Sequence, residues 1–123
     1  MLEIQKMNDS FAISHHAQAR MNQRSFSEDD IQAILNYGTW LDDCSVLLTR
    51  KDVHRATEEL RITVKHLERQ KSKNSETPIK QHQKTIHDLE RLRNSKAVVS
   101  GNMLVTCYHC NDNHIKRALR RMH

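Results

Sequence analysis

From Val53 to Leu92 the apolar residues keep a helical period over two stretches, and this constrains the fold more than any other feature of the chain. Val53, Ala56, Leu60, Val64 and Leu67 recur at steps of three and four, with Glu58, Glu59, Arg61, Lys65, Glu68 and Arg69 between them. The spacing predicts an amphipathic helix of about five turns with one narrow apolar stripe. The polar run Lys71–Glu76 interrupts it. Thr77 followed by Pro78 reads as an N-cap with proline at the first helical position. A second stripe then follows: Ile79, His82, Ile86, Leu89 and Leu92. Two narrow stripes joined by a short polar connection predict an antiparallel helical hairpin of coiled-coil type over residues 51–96.

On both sides of the hairpin the period changes. Thr39-Trp40-Leu41 and Ser45 to Thr49 read as short strands with a turn at Asp42-Asp43. Ala97-Val98-Val99 and Met103 to Tyr108 read as another pair around a tight Gly101-Asn102 turn. Two short helices precede the first strands. Ser14 caps one, which sets Ala17 and Met21 on one side and His16, Arg20 and Arg24 on another. Ser27 with Asp30 makes a capping box for the next, whose buried stripe is Ile31, Ile34 and Leu35 and whose stop is Gly38. Ile4, Met7, Phe11 and Ile13 offer apolar groups near the start without defining an element. Ile115, Leu119 and Met122 outline a short basic helix at the end.

The expected fold is α+β in a single domain, residues 1–123. Two N-terminal helices pack on a small antiparallel sheet, and the hairpin at 51–96 is inserted between the second and third strands and projects from the sheet. One proline and two glycines in 123 residues are too few for an all-β sandwich. No apolar run of about 18 residues predicts a transmembrane helix, and Met1 to Ala12 lacks the pattern of a signal peptide. Three cysteines, Cys44, Cys107 and Cys110, are an odd count without an export signal, and predict reduced thiols and a cytoplasmic setting.

The net charge of +5 is unevenly spread. Residues 1–50 hold four Lys/Arg against seven Asp/Glu, a net −3; residues 51–96 hold twelve against seven, a net +5; residues 97–123 hold four against one, a net +3. A polyanionic partner should therefore meet the hairpin and the tail.

Two stretches carry a family likeness. Ile13 to Gly38 resembles the opening of an uncharacterised bacterial domain family with the pattern H-A-x-x-R-M-x-Q-R-G-I-S. Its positions are met by His16, Ala17, Arg20, Met21, Gln23, Arg24 and Ser27, and Gly38 matches the glycine after the second helix. Ser25 stands where the family has glycine and Phe26 where it has isoleucine. Ala97 to His109 resembles the family's closing strand pair, with Val105, Thr106 and Tyr108 in register. That family is grouped with the RelE/ParE and BrnT-like toxins, which include RNA-cleaving members, gyrase-directed members and members of no known role. The resemblance implies a RelE-like arrangement of helices on an antiparallel sheet, and an antitoxin as partner.

Metal-free RNA cleavage requires a base for the 2′-hydroxyl proton, an acid for the leaving oxygen and cations for the phosphate. His16 and His109 are the candidate acid–base pair. Arg20, Arg24, Lys116, Arg117, Arg120 and Arg121 are candidate phosphate or RNA contacts, and Tyr108 is either a base-stacking platform or a core residue. In the alternative reading, Arg20 and Arg24 pair with Glu28, Asp29 or Asp30 and serve only to join two helices. No cofactor or metal is expected. Cys107, Cys110 and His114, with His109 or His123 as a fourth ligand, form an incomplete zinc pattern. The narrow seam of the hairpin, with His82 as a possible register device, suits docking of an antitoxin or of a second copy, and its positive charge suits RNA or the ribosome.

The expected function is a toxin-like, metal-independent endoribonuclease acting on messenger RNA. The alternative is a non-enzymatic module that binds protein or nucleic acid, an inhibitor or accessory factor of phage or plasmid origin.

Overall fold

The computed structural model describes residues 11–70 and 76–121. Among them lie five strands and five helices: β1 (Ala12–Ile13), α1 (His15–Arg24), α2 (Glu28–Tyr37), β2 (Thr39–Trp40), β3 (Ser45–Leu47), α3 (Arg50–Gln70), α4 (Glu76–Leu92), β4 (Ser95–Ser100), β5 (Met103–His109) and α5 (Asp112–Arg121). The α+β class and the order of the expected elements agree with the sequence. Ile4, Met7, Met122, His123 and most of the hairpin connection, residues 71–75, lie outside the described residues.

The sheet runs β1-β5-β4-β3-β2 and is mixed, which corrects the expectation of a purely antiparallel one. β1 lies parallel to β5, with Ala12 opposite Met103 and Ile13 opposite Leu104. Two residues are too few to show a strand period, so β1 is not visible in the sequence. The remaining pairs are antiparallel.

Local chemistry explains the helix starts. The Ser14 and Ser27 side chains accept from the Ala17 and Asp30 amides, and Asp30 returns the bond to the Ser27 amide. A second capping box opens α3: the Thr49 hydroxyl accepts from the Asp52 amide and the Asp52 carboxylate from the Thr49 amide. α4 already includes Glu76, so Pro78 is its third residue rather than its first, still within the turn whose amides need no helical partner. α1 ends on Ser25, left-handed at φ 60° and ψ 40°. A glycine would adopt this left-handed turn without the strain that an L-residue carries. α2 ends on Gly38, the stop expected from the sequence, with extended backbone at φ −75° and ψ 170°. Glycine is needed there for closeness: a Cβ would sit 2.6 Å from the Ile34 carbonyl oxygen and 2.7 Å from Val46 Cγ2.

The main core fills one face of the sheet. Ala17 and Met21 of α1, Ile31, Ile34 and Leu35 of α2, and Val46, Ala97, Val99, Leu104 and Cys107 of the strands form one buried cluster. Val53 and Ala56 of α3 and Leu89 and Leu92 of α4 belong to the same cluster. The base of the hairpin is thus part of the core, and only its far half stands clear, with Val64 buried and Ile62 exposed. Buried Asp30 ties α2 to the hairpin through Arg91 of α4, and Arg61 pairs with Glu90 across the hairpin at 3.3 Å.

An irregularity in the β4–β5 pairing decides what the second face carries. Ala97 pairs with Cys107 and Val99 with Leu104, so two residues along β4 correspond to three along β5. Val105 is the extra residue, a β-bulge. Without it, Leu104, Thr106 and Tyr108 would share one face by strict alternation. With it, Leu104 and Cys107 both face the core, and Thr106 and Tyr108 turn to the opposite face beside Val98 and Lys96. Leu47, also on that second face, is fully buried, and α5 is the helix on that side.

Candidate nucleic-acid interface

β5 is paired with β1 only at Met103 and Leu104, so the rest of its outer edge offers free carbonyls. α1 covers that edge. The Ser14 amide donates to the Leu104 carbonyl at 3.1 Å, the Ser14 hydroxyl to Val105 at 3.4 Å, and Arg24 Nη1 to Cys107 at 2.7 Å. This seating turns the expected row of cations toward the second face of the sheet. His16, Arg20 and Arg24 there share an open concavity of about 460 Å³ with Thr106, Tyr108 and His109.

The two histidines are held differently. His109 stacks on Phe26, with ring centroids 4.6 Å apart and planes 21° apart, and its Nδ1 shares a 3.0 Å hydrogen bond with the fully buried Ser95 hydroxyl. Its Nε2 has no protein partner among the described residues. When Nδ1 carries the proton and donates to Ser95, Nε2 presents a lone pair; in the other tautomer it presents a proton. His16 is exposed and accepts a long, weak bond of 3.5 Å from Arg20 Nε.

The arginines do not join α1 to α2 through ion pairs. Among the described residues Arg20 bonds only within its helix, to His16 and to Gln23 at 3.3 Å, and Asp30 is taken by Arg91. Arg24 has a structural bond at the sheet edge, and its guanidinium also lies 5.9 Å from the centre of the Tyr108 ring. Lys96 lies 5.8 Å from the same ring, and His114 meets it edge-on at 5.9 Å. Tyr108 is therefore half-buried among cationic groups and is no part of the main core.

The basic residues of α5 are spread over its circumference. Arg117 and Arg121 line a separate cavity of about 230 Å³ with Lys96, His114, Ser45 and Asp42. Lys116 lines a third, of about 660 Å³, beside Arg50, Lys51 and Arg55. Arg120 is exposed and borders none of the three. The sequence alone does not point to Lys96, Thr106 or Ser95 at the site. The register supplies the missing signal, since Lys96 is directly opposite Tyr108, Val98 opposite Thr106 and Ser95 opposite His109.

The zinc pattern does not assemble. Cys107 is fully buried in the core, while His114 packs on Tyr108 on the other face. Among the described residues no three His, Cys, Asp or Glu side chains are placed to hold a metal; His123 lies outside them. Burial pushes the Cys107 thiol up to about 11 against the pull of nearby Arg24, and burial likewise raises Cys110 against Lys96. Burial and then the charges of Lys96, Arg117 and Arg121 hold the His114 pKa below its ordinary value. Cys44 is exposed. Among the described residues no helix is long and apolar enough to cross a membrane. Comparison with protein-family models, with curated proteins and with solved structures finds no match to this chain.

Proposed function

We propose that this chain is an RNA-directed, toxin-like protein of RelE-like architecture, acting as a metal-independent endoribonuclease on messenger RNA in the cytoplasm. The observation that carries the reading is the shared concavity of His16, Arg20, Arg24, Tyr108 and His109, residues drawn from two distant parts of the chain. Arg20 and Arg24 hold the scissile phosphate through their planar forks. His109 Nε2, with the ring oriented by Ser95 and Phe26, takes the proton from the ribose 2′-hydroxyl. The 2′-oxygen attacks phosphorus, the bond to the 5′-oxygen breaks, and His16 protonates that oxygen. The products are a 2′,3′-cyclic phosphate and a 5′-hydroxyl end. The face of Tyr108 is the stacking surface for a neighbouring base. An antitoxin, or a second copy of the chain, docks on the far half of the hairpin, where Ile62 is 66% exposed.

Controlled expression in bacteria tests this reading, with growth, transcript integrity and end chemistry followed together. Growth should stop, transcripts should acquire 5′-hydroxyl ends, and His109→Ala or Arg20→Ala should each restore growth. Normal growth with intact RNA, in cells shown to contain folded protein, would sink the endoribonuclease reading. The second reading, a binding module without catalysis, draws on the placement of Tyr108 between Arg24 and Lys96, an arrangement that serves stacking and charge alone. Its signature is salt-dependent RNA binding without cleavage.

A further inference from the structure

The cavity between α5 and the β2–β3 turn is not used by the chemistry proposed above, yet it gathers three cations around an unsatisfied imidazole. Lys96 reaches it from β4, and Arg117 and Arg121 from successive turns of α5. None of the three is in an ion pair with an acidic residue among the described residues. Asp42 is the acid at the rim. It is exposed, and one of its oxygens accepts from the Cys44 amide at 2.7 Å. His114 lines the same cavity. Its backbone amide is capped by Asn111 at 2.8 Å and its ring is braced edge-on by Tyr108. Its Nε2 is buried with no hydrogen-bond partner. A buried ring nitrogen without a partner is uncommon, and with no bond to fix its state the ring responds to the charges gathered around the cavity.

We propose that this cavity is a second phosphate site, in which Lys96, Arg117 and Arg121 bind a phosphodiester beside the His114 ring, one step along the same RNA strand from the one held by Arg20 and Arg24. The inference rests on the RNA-directed reading for its ligand. Tyr108 links the two places, because Arg24, Lys96 and His114 all approach its ring to within 6 Å. A strand whose base stacks on Tyr108 then sends one flanking phosphate toward α1 and the other toward α5. Burial and then the neighbouring charges set the state of His114. The groups facing it are Lys96 from β4, Tyr108 from β5, Arg117 and Arg121 from its own helix, and Asp42 from the turn. With the cavity empty, the cations oppose a further positive charge on the ring. An anion among them reverses the balance, so binding takes up a proton at Nε2 and tightens toward acid pH.

Two probes test this. Sulfate stays a dianion over the histidine range, and a tetranucleotide of deoxythymidine lacks the 2′-hydroxyl, so it binds without being cut. In imidazole NMR, sulfate should raise the titration midpoint of His114. Tetranucleotide affinity should fall as pH rises, by about tenfold for each unit by which the anion raises that midpoint. His114→Gln should remove that part of the pH dependence, and the double variant Arg117→Gln with Arg121→Gln should reduce the salt slope of binding by about 0.7, the value for one lost phosphate contact on a single strand. Arg20→Gln should weaken tetranucleotide binding yet leave the response of His114 to sulfate intact. A midpoint unmoved by sulfate, or a salt slope unchanged in the double variant, overturns the proposal. So does a sulfate response with no tetranucleotide binding, which would leave an anion site for something other than a nucleic-acid strand. These binding results together with uncut RNA in cells would refute the endoribonuclease reading alone.

Discussion

Arg24, the last residue of α1, donates to the main-chain carbonyl of Cys107 in β5 at 2.7 Å, across 83 positions of sequence. The bond closes a free strand edge with a charged donor, and it aims the rest of the His16–Arg20–Arg24 row across the second face of the sheet. Arg24 therefore has a structural task that Arg20, which among the described residues bonds within its own helix, does not share. Arg24→Ala should cost about 1.5–3 kcal/mol, the range for a hydrogen bond to a charged group. Arg20→Ala should stay within about 0.5 kcal/mol of the parent. Urea unfolding midpoints compare the two, and a larger loss at Arg20 would contradict the assignment.

Ser25 holds a left-handed conformation at the end of α1 that an L-residue adopts only at a cost. Ser25→Gly should raise stability by roughly 0.5–1 kcal/mol, the strain relieved less the extra freedom of the unfolded chain. A lower thermal midpoint in the variant would show that the serine side chain contributes more than the strain removes.

The two glycines should respond to alanine for different reasons. Gly38→Ala drives a methyl group against the Ile34 carbonyl and Val46, an overpacking of about 1–3 kcal/mol. Gly101→Ala meets no neighbour within 4 Å but must hold φ at +60°, a backbone penalty of about 1–2 kcal/mol. Crystal structures of the two variants separate the mechanisms: the first should displace Val46 or the end of α2, and the second should leave the packing untouched.

Thiol chemistry should rank the cysteines by burial. Cys44 should react with a disulfide reagent at the rate of a free thiol, and Cys107 only as fast as the core opens. The pH dependence has a definite sign. The Cys107 thiol is raised from 9.0 to about 11 in the folded protein. It thus favours the folded state fully below about 9, and that contribution is lost as the pH climbs from there through about 11, because the unfolded chain ionises first. Unfolding free energy over this alkaline window should fall more steeply in the parent than in Cys107→Ala.

Ser95 is a positioning residue for His109. If His109 is the base, Ser95→Ala should slow RNA cleavage about tenfold or more and move the acid limb of the pH–rate profile, since general-base efficiency depends on the pKa and orientation of the imidazole. Ser95→Thr, which keeps the hydroxyl, should restore the profile. A loss of rate with an unmoved profile would assign Ser95 to packing alone.

Much of the architecture is legible in local patterns. The stripes Val53–Ala56–Leu60–Val64 and Ile86–Leu89–Leu92 define the hairpin, serine caps locate α1 and α2, and the i, i+4, i+8 spacing sets His16, Arg20 and Arg24 on one side of α1. These features depend on neighbours within a few residues, so a sequence displays them directly. Pairings between distant segments are not displayed in that way. The parallel contact of β1 with β5 involves two residues on one side, and the attachment of the hairpin base to the core depends on which stripe residues meet the sheet. The bulge at Val105 has the largest consequence. Alternation along Leu104, Thr106 and Tyr108 places all three on one face, whereas the register against Val99 and Ala97 inserts one residue and exchanges the faces beyond it. Residue types along the chain supplied histidines, arginines and a tyrosine. Only cross-strand pairing, a contact between positions far apart in the chain, turned Tyr108 away from the core and toward Arg24, Lys96 and His114.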